Sequence, residues 1–286
     1  MKRIGIIGLG LIGGSLGLAL RRAMADVDVV GFARRKEVAS RAVERGAVGR
    51  AVPELRGVVR GADLVIIATP VLAVREVLAG IAESLDAGAV VTDVASTKAE
   101  VMRWAEEFLP PEVSFVGGHP MAGREVSGID AADAGLFTGC TYCLVRGPSA
   151  TREAVDRLEG LVRSIGARPL LIDASEHDMS VAAISHLPLL LSSALVSLTA
   201  RSEEWPRMAG LASSGFRDVT RLASGSPEMS RDICLTNREA ILRWLDGYVH
   251  ELGELQRLLT EQDAQVEQFF RDVKERRDGW LGSRGS

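Results

Sequence analysis

A chain of 286 residues with 47 % apolar and 25 % charged residues can bury a sizeable core, which excludes intrinsic disorder. A net charge of −4, with no basic block, argues against a nucleic-acid partner. Three cysteines, Cys140, Cys143 and Cys234, make no disulfide framework and fit a reducing, cytoplasmic setting.

The opening "MKRIGIIGLGLIGG" has the basic-then-apolar layout of a secretory signal. Five glycines between Gly5 and Gly14 interrupt the run, and no small-residue cleavage site follows closely, so it reads as a buried strand and turn. β-rich runs then recur in chain order: "RIGIIG", "VDVVGF", "ADLVIIAT", "AVVTDV", "SFVGG", "TYCLVRG" and "RPLLID". Helical patterns such as "KEVASRAVERG" and "STKAEVMRWAEEFL" lie between most of them. That alternation predicts right-handed βαβ units and a doubly wound, Rossmann-type α/β sheet that is mainly parallel. In "CTYCLV", an offset of three along a strand puts Cys140 and Cys143 on opposite faces, against a metal or redox pair.

After Asp173 the strand signals stop. Residues 1–173 read as a dinucleotide-type domain and residues 174–286 as an all-helical domain. "VAAISHLPLLLSSALVSLTA", residues 181–200, carries no charge over a membrane-span length. Pro188, His186 and its hydroxyl residues point instead to a buried helix at a subunit interface. Leu242, Leu245, Val249, Leu252 and Leu255 recur every three to four residues, one apolar helix face. The tail "DGWLGSRGS" reads as frayed.

"GLGLIGGSLG" places Gly8, Gly10 and Gly13 directly after the first strand and at the start of a helix, the context that makes a G-x-G-x-x-G turn a dinucleotide site. Gly8 permits the tight turn, Gly10 lets backbone approach a pyrophosphate, and Gly13 lets the helix pack on the strand. Leu11 and Ile12, inside the motif, belong to the same cofactor site. An overlapping G-x-S-x-G around Ser15 would suit a serine hydrolase, but Ser15 would already lie inside the helix. The second strand ends "GFARRKE": Ala33 stands where an acid would bind the ribose hydroxyls, followed by Arg34 and Arg35. Arginines there suit a 2′-phosphate and favour NADP over NAD.

Three polar loops follow neighbouring strands: "ATPV" with Thr69 and Pro70, "TDVASTKAEV" with Asp93, Ser96 and Lys98, and "GGHPMAG" with His119. The C-terminal edge of a parallel sheet is where such folds hold ligands, so Thr69, Pro70 and Asp93 join the cofactor site. Together with "ISHLP" and "LASSGFRDVTRLASGSPEMSRDI", these stretches resemble the prephenate/arogenate dehydrogenase family of tyrosine biosynthesis, in the same order over nearly the whole chain. The resemblance makes residues 1–173 a dinucleotide-binding domain and residues 174–286 a helical substrate and dimerisation domain, and it implies a homodimer. It implies that His119 is the catalytic histidine on the substrate's ring hydroxyl, with Ser96 contacting the same hydroxyl. It makes His186 a substrate contact and Arg221 the carboxylate ligand, with Gly215 and Arg124 counted in the substrate site.

Three positions depart from the family pattern: Arg124 stands in place of a threonine, Leu189 of a histidine and Ser230 of a tryptophan. They leave prephenate and arogenate both open as substrates. The implied reaction is oxidative decarboxylation of a cyclohexadienol, which needs no metal, because aromatisation drives the loss of carbon dioxide. Histidine's reference pKa of about 6.5 makes it a useful base near neutral pH. His177 and His250 read as structural or exposed. Two further readings are a hydroxyacid dehydrogenase in which Lys98 is essential, and a non-catalytic NADP-binding regulator.

Overall fold

The computed structural model describes residues 1–124, 126–261 and 265–283. Its backbone divides into two compact units, Met1–Ala240 and Ile241–Ser286. The first unit is built on one eight-stranded sheet of order β3-β2-β1-β4-β5-β6-β7-β8. The strands are β1 (Arg3–Ile7), β2 (Asp28–Phe32), β3 (Arg50–Ala51), β4 (Leu64–Ile67), β5 (Val90–Asp93), β6 (Ser114–Pro120), β7 (Thr141–Arg146) and β8 (Arg168–Leu171). Strand order steps outward from β1 in both directions, the doubly wound arrangement expected from the sequence.

Every residue of β4, β5 and β6 is buried, because helices cover both faces of the sheet. Those helices are α1 (Leu11–Ala23), α2 (Lys36–Glu44), α3 (Leu55–Val59), α4 (Val71–Ile81), α5 (Ala99–Phe108) and α6 (Arg152–Ser164). Leu16 and Leu20 of α1 share one apolar cluster with Leu158 and Leu161 of α6. Val74 and Leu78 of α4 share the other with Val101 and Trp104 of α5.

The pairing is parallel except between β6 and β7. Within residues 121–140 the described residues hold only a short 3-10 turn, Ile129–Ala131, and no crossover helix. A chain that returns without a crossover pairs antiparallel. The 3-10 turn packs on α1, where a Cβ at Gly14 would lie 2.4 Å from Ile129 Cδ1.

Helices follow β8: α7 (Ala174–Val181), a π-helical turn (Ala182–His186), α8 (Leu187–Ala200), α9 (Trp205–Leu211), α10 (Ser214–Thr220), a 3-10 turn (Arg221–Ser224) and α11 (Pro227–Thr236). Asp173 caps α7 by accepting the Ser175 and Glu176 N–H groups. The expected apolar helix is continuous from Ala174 to Ala200, but only 22 % of its apolar stretch is buried within the chain. Ile184 is 69 % and Leu198 74 % exposed. A helix apolar on all sides does not say which chain covers it, and the expected subunit interface assigns that cover to a second chain.

The last helices are α12 (Arg238–Thr260) and α13 (Gln265–Ser283). The second unit takes in α12 from Ile241 onward and all of α13. The leucine-rich stripe of α12 is helical as predicted, with Leu242, Val249 and Leu252 exposed. Helix α13 runs through residues 278–283 of the tail read as frayed; residues 284–286 lie outside the described residues.

Candidate active site

The glycine turn is shaped by steric limits that can be read position by position. Gly8 has φ +97°, and a Cβ there would lie 2.4 Å from the Ala68 carbonyl oxygen. A Cβ at Gly13 would lie 1.9 Å from the Gly8 carbonyl oxygen, so α1 can sit this close to β1 only with glycine. Gly10 differs: a Cβ there would meet nothing within 4 Å. It is the N-cap of α1 without a side-chain cap, and the first turn, which includes Leu11 and Ile12, has no acid. Main-chain N–H groups there are left for an anion, and the open space at Gly10 is what an approaching pyrophosphate requires. Thr69, after β4, has a buried hydroxyl with no protein partner, and Pro70 opens α4. Ala33, Arg34 and Arg35 follow β2; both arginines are exposed, and neither forms an ion pair among the described residues. This set fits a dinucleotide.

Ser15 is fully buried inside α1, where its hydroxyl accepts the Asp133 N–H at 2.9 Å. It is no nucleophile elbow, which removes the ground for a serine hydrolase.

Asp93 and Lys98 have no exposed surface. Their side chains pair with each other, and Lys98 Nζ also donates to the Gly118 carbonyl at 2.8 Å. Asp93 accepts the Ala95 N–H at 2.8 Å and the Gly118 N–H at 3.1 Å. Asp93, expected at the cofactor, is turned inward and ties the loop after β5 to β6. Lys98 is equally engaged, which disfavours it as an essential base. Ser96 lies half-buried between them in sequence, with no hydrogen bond to its hydroxyl among the described residues.

His119, near the end of β6, is buried. Its Nδ1 is 2.9 Å from His177 Nε2, and His177 Nδ1 is 2.8 Å from Asp178 Oδ1. Asp178 accepts the Lys98 and Ala99 N–H groups at 2.7 and 2.8 Å, capping α5, whose own N-cap residue Lys98 offers no side-chain cap. Burial pushes the His119 imidazole well below the usual histidine range, and the nearby cationic or protonatable groups His177, Lys98 and His186 act the same way. Its Nε2 bonds to no described residue, so the ring is a neutral base with one unengaged nitrogen.

His186 closes the π-helical turn, a form that often marks functional positions. Its Nδ1 is 3.1 Å from Asn237 Nδ2, and its Nε2 is buried without a partner. Burial pulls its pKa down to about 4 against the opposing attraction of Asp178.

Arg124 is half-exposed and pairs with Asp133 at 2.8 Å. Gly215 lies in the first turn of α10, and Arg221 is exposed at the start of a 3-10 turn. That turn is tied to α8 by the Ala223 N–H, which donates to Ser192 Oγ at 3.0 Å. Asp218 pairs with Arg217 at 3.6 Å.

The sequence reading missed His177, Asp178 and Asn237. The adjacent His-Asp pair just ahead of an uncharged helix is a signal that could have singled them out. His250 is exposed on α12, as expected.

A family model for the prephenate dehydrogenase nucleotide-binding domain matches residues 16–171, and one for the prephenate dehydrogenase dimerization domain matches residues 173–275. The chain is 36 % identical to a prephenate dehydrogenase of Bacillus subtilis over 277 residues, covering 96 % of this chain and 75 % of that one. A prephenate dehydrogenase from Aquifex aeolicus, solved with hydroxyphenyl propionate and NAD+, superposes with TM-score 0.91 at 27 % identity, covering 98 % of each chain. An arogenate dehydrogenase from Synechocystis gives TM-score 0.84 at 32 % identity, covering 98 % of this chain and all of that one.

Proposed function

The chain belongs to the prephenate dehydrogenase family, and from that premise we propose that it converts prephenate to 4-hydroxyphenylpyruvate by NAD(P)-dependent oxidative decarboxylation. The observation that carries this reading is the neutral, buried His119 with its Nε2 unengaged at the ligand-binding edge of the sheet. A bound nicotinamide supplies the hydride acceptor. His119 Nε2 takes the proton of the ring hydroxyl as that carbon becomes carbonyl-like, and Ser96 donates to or accepts from the same oxygen. The ring carboxylate leaves as carbon dioxide, and aromatisation makes the loss favourable. Arg221 holds a substrate carboxylate, for which a guanidinium fork is well shaped, with Arg124 and Gly215 bordering the side chain. Glycines 8, 10 and 13, with Leu11, Ile12, Thr69 and Pro70, hold the dinucleotide.

The absence of an acid at Ala33 and the two exposed arginines after it support NADP as the preferred nucleotide. A second reading, arogenate to tyrosine, is favoured by the likeness to the Synechocystis enzyme. Steady-state kinetics with both substrates crossed against NAD and NADP tests all of this. We expect the highest kcat/KM for prephenate with NADP; higher kcat/KM on arogenate replaces the substrate assignment, and no turnover of either substrate overturns the function.

The enzyme acts as a soluble cytoplasmic homodimer in this reading. The exposed apolar side chains Ile184, Leu198 and Leu211 in residues 174–240 need a cover, and a second copy supplies one. Sedimentation at micromolar concentration is expected to give twice the chain mass; a monomer would refute the assembly.

A further inference from the structure

Asp178 stands where two hydrogen-bond chains meet, and the polarity of each can be worked out from groups that play only one role. Main-chain N–H groups only donate. Two of them, from Lys98 and Ala99, already point at the Asp178 carboxylate, which accepts from both. Toward His177 Nδ1, 2.8 Å away, that carboxylate is again the acceptor, so the proton of His177 sits on Nδ1. If His177 is uncharged, its imidazole has one N–H, which leaves Nε2 as a lone pair. His119 Nδ1, 2.9 Å from it, must then be the donor. The proton of His119 is thereby fixed on the inner nitrogen, and its outer nitrogen, Nε2, presents a lone pair.

The second chain starts from the main-chain carbonyl of the same residue. A carbonyl oxygen only accepts, so the Asn237 atom 2.7 Å from Asp178 O is the amide nitrogen, which settles the orientation of that side chain. The same nitrogen lies 3.1 Å from His186 Nδ1, which therefore accepts. The proton of an uncharged His186 must sit on Nε2. That atom is buried and has no partner in the protein, a buried donor of the kind that native structures rarely leave unsatisfied.

We propose that Asp178 and Asn237 are positioning residues that impose opposite polarities on two buried histidines: His119 shows the substrate a lone pair, and His186 shows it an N–H for an acceptor oxygen. The proposal rests on the dehydrogenase reading for the identity of the substrate, but the two polarities belong to the protein alone. Asp178 would reach the chemistry through two bonds on one side and one residue on the other, without touching substrate. One residue can do this because its carboxylate and its carbonyl face different partners.

Nitrogen-15 spectra of the intact, histidine-labelled protein near neutral pH report which ring nitrogen carries the proton. The expected result is the Nδ1–H form for His119 and the Nε2–H form for His186. A His177 imidazolium, or the reverse form in either of the other rings, overturns the proposal whatever the activity. Asn237→Asp removes the donor to His186. It is expected to move the His186 proton to Nδ1 and to raise the substrate KM at least tenfold, with nucleotide Kd and the His119 signal unchanged. Asp178→Asn is expected to mix the two His119 forms and to lower kcat about a hundredfold with the same nucleotide Kd. Variants that keep the wild-type tautomers, or that lose nucleotide binding and kinetics together, would make these residues structural only. If either variant fails to fold, the spectra of the unaltered protein still decide. Correct tautomers in a protein that turns over neither prephenate nor arogenate would sink the functional reading and leave the polarities standing.

Discussion

The glycine turn at the end of β1 and the histidine cluster behind β6 are held by different means. The turn is nearly all backbone: Gly8 and Gly13 are kept small by carbonyl oxygens 2.4 and 1.9 Å from where a Cβ would lie. The cluster is nearly all side chain: His119, His177, Asp178, His186 and Asn237 come from β6, α7, the π-helical turn and the residue after α11. A site for a polyanion can be made from main-chain N–H groups that exist in any sequence, provided nothing blocks them. A site for moving a proton needs particular rings with particular nitrogens protonated, and neighbours must enforce that.

The contrast predicts that the two regions fail differently. His119→Asn should cause the largest loss, about 10²–10⁴ in kcat, because the base is gone. The asparagine amide can still donate to His177 Nε2, so nucleotide affinity and thermal midpoint should hold; unchanged turnover would dismiss His119 as the base. Gly13→Ala should instead cost the fold at least about 1–3 kcal/mol, since a methyl group must push two backbones apart, and calorimetry would show it. Gly10→Ala is the control: the thermal midpoint should stay put while nucleotide Kd rises. Equal midpoints for both glycine variants would break the steric account.

Ala33→Asp combined with Arg34→Ser should shift kcat/KM toward NAD over NADP by about tenfold to a hundredfold, the worth of a charge-assisted hydrogen bond. No shift would mean that the arginine does not meet the phosphate. The smallest effect expected is in pH dependence. The neutral His119 should keep kcat/KM flat through the neutral range, with a fall only on the acid side, well below 6.5. Stability should follow the same sign. The folded pKa of His186 is about 4, below its ordinary 6.5, so the unfolded chain binds the proton first. Stability is therefore fully present above 6.5 and declines as pH falls toward 4. A rise in thermal midpoint over that interval would contradict a neutral buried His186.

The sequence by itself determined whatever depends on contiguous residues. The order of strands and helices, the glycine turn with Gly8, Gly10 and Gly13, and His119 in its stiff "GGHPMAG" setting are all legible, because backbone geometry and periodicity act over a few residues. Family motifs added Ser96, His186 and Arg221 as candidate site residues. Tertiary structure alone decided the rest. The two-residue β3 exists only through its pairing with β2, and β7 turns antiparallel because residues 121–140 hold no crossover helix among the described residues. Asp93 reads as a cofactor ligand until the buried Lys98 claims it. The helix from Ala174 to Ala200 reads as buried at a subunit interface, and its own chain covers little of it. His177 and Asp178 look like an ordinary polar pair on a helix until they meet His119 and the start of α5, 58 and about 80 positions away in the chain. Hydrogen-bond polarity is a property of contacts, and contacts between distant segments are made only when the chain folds.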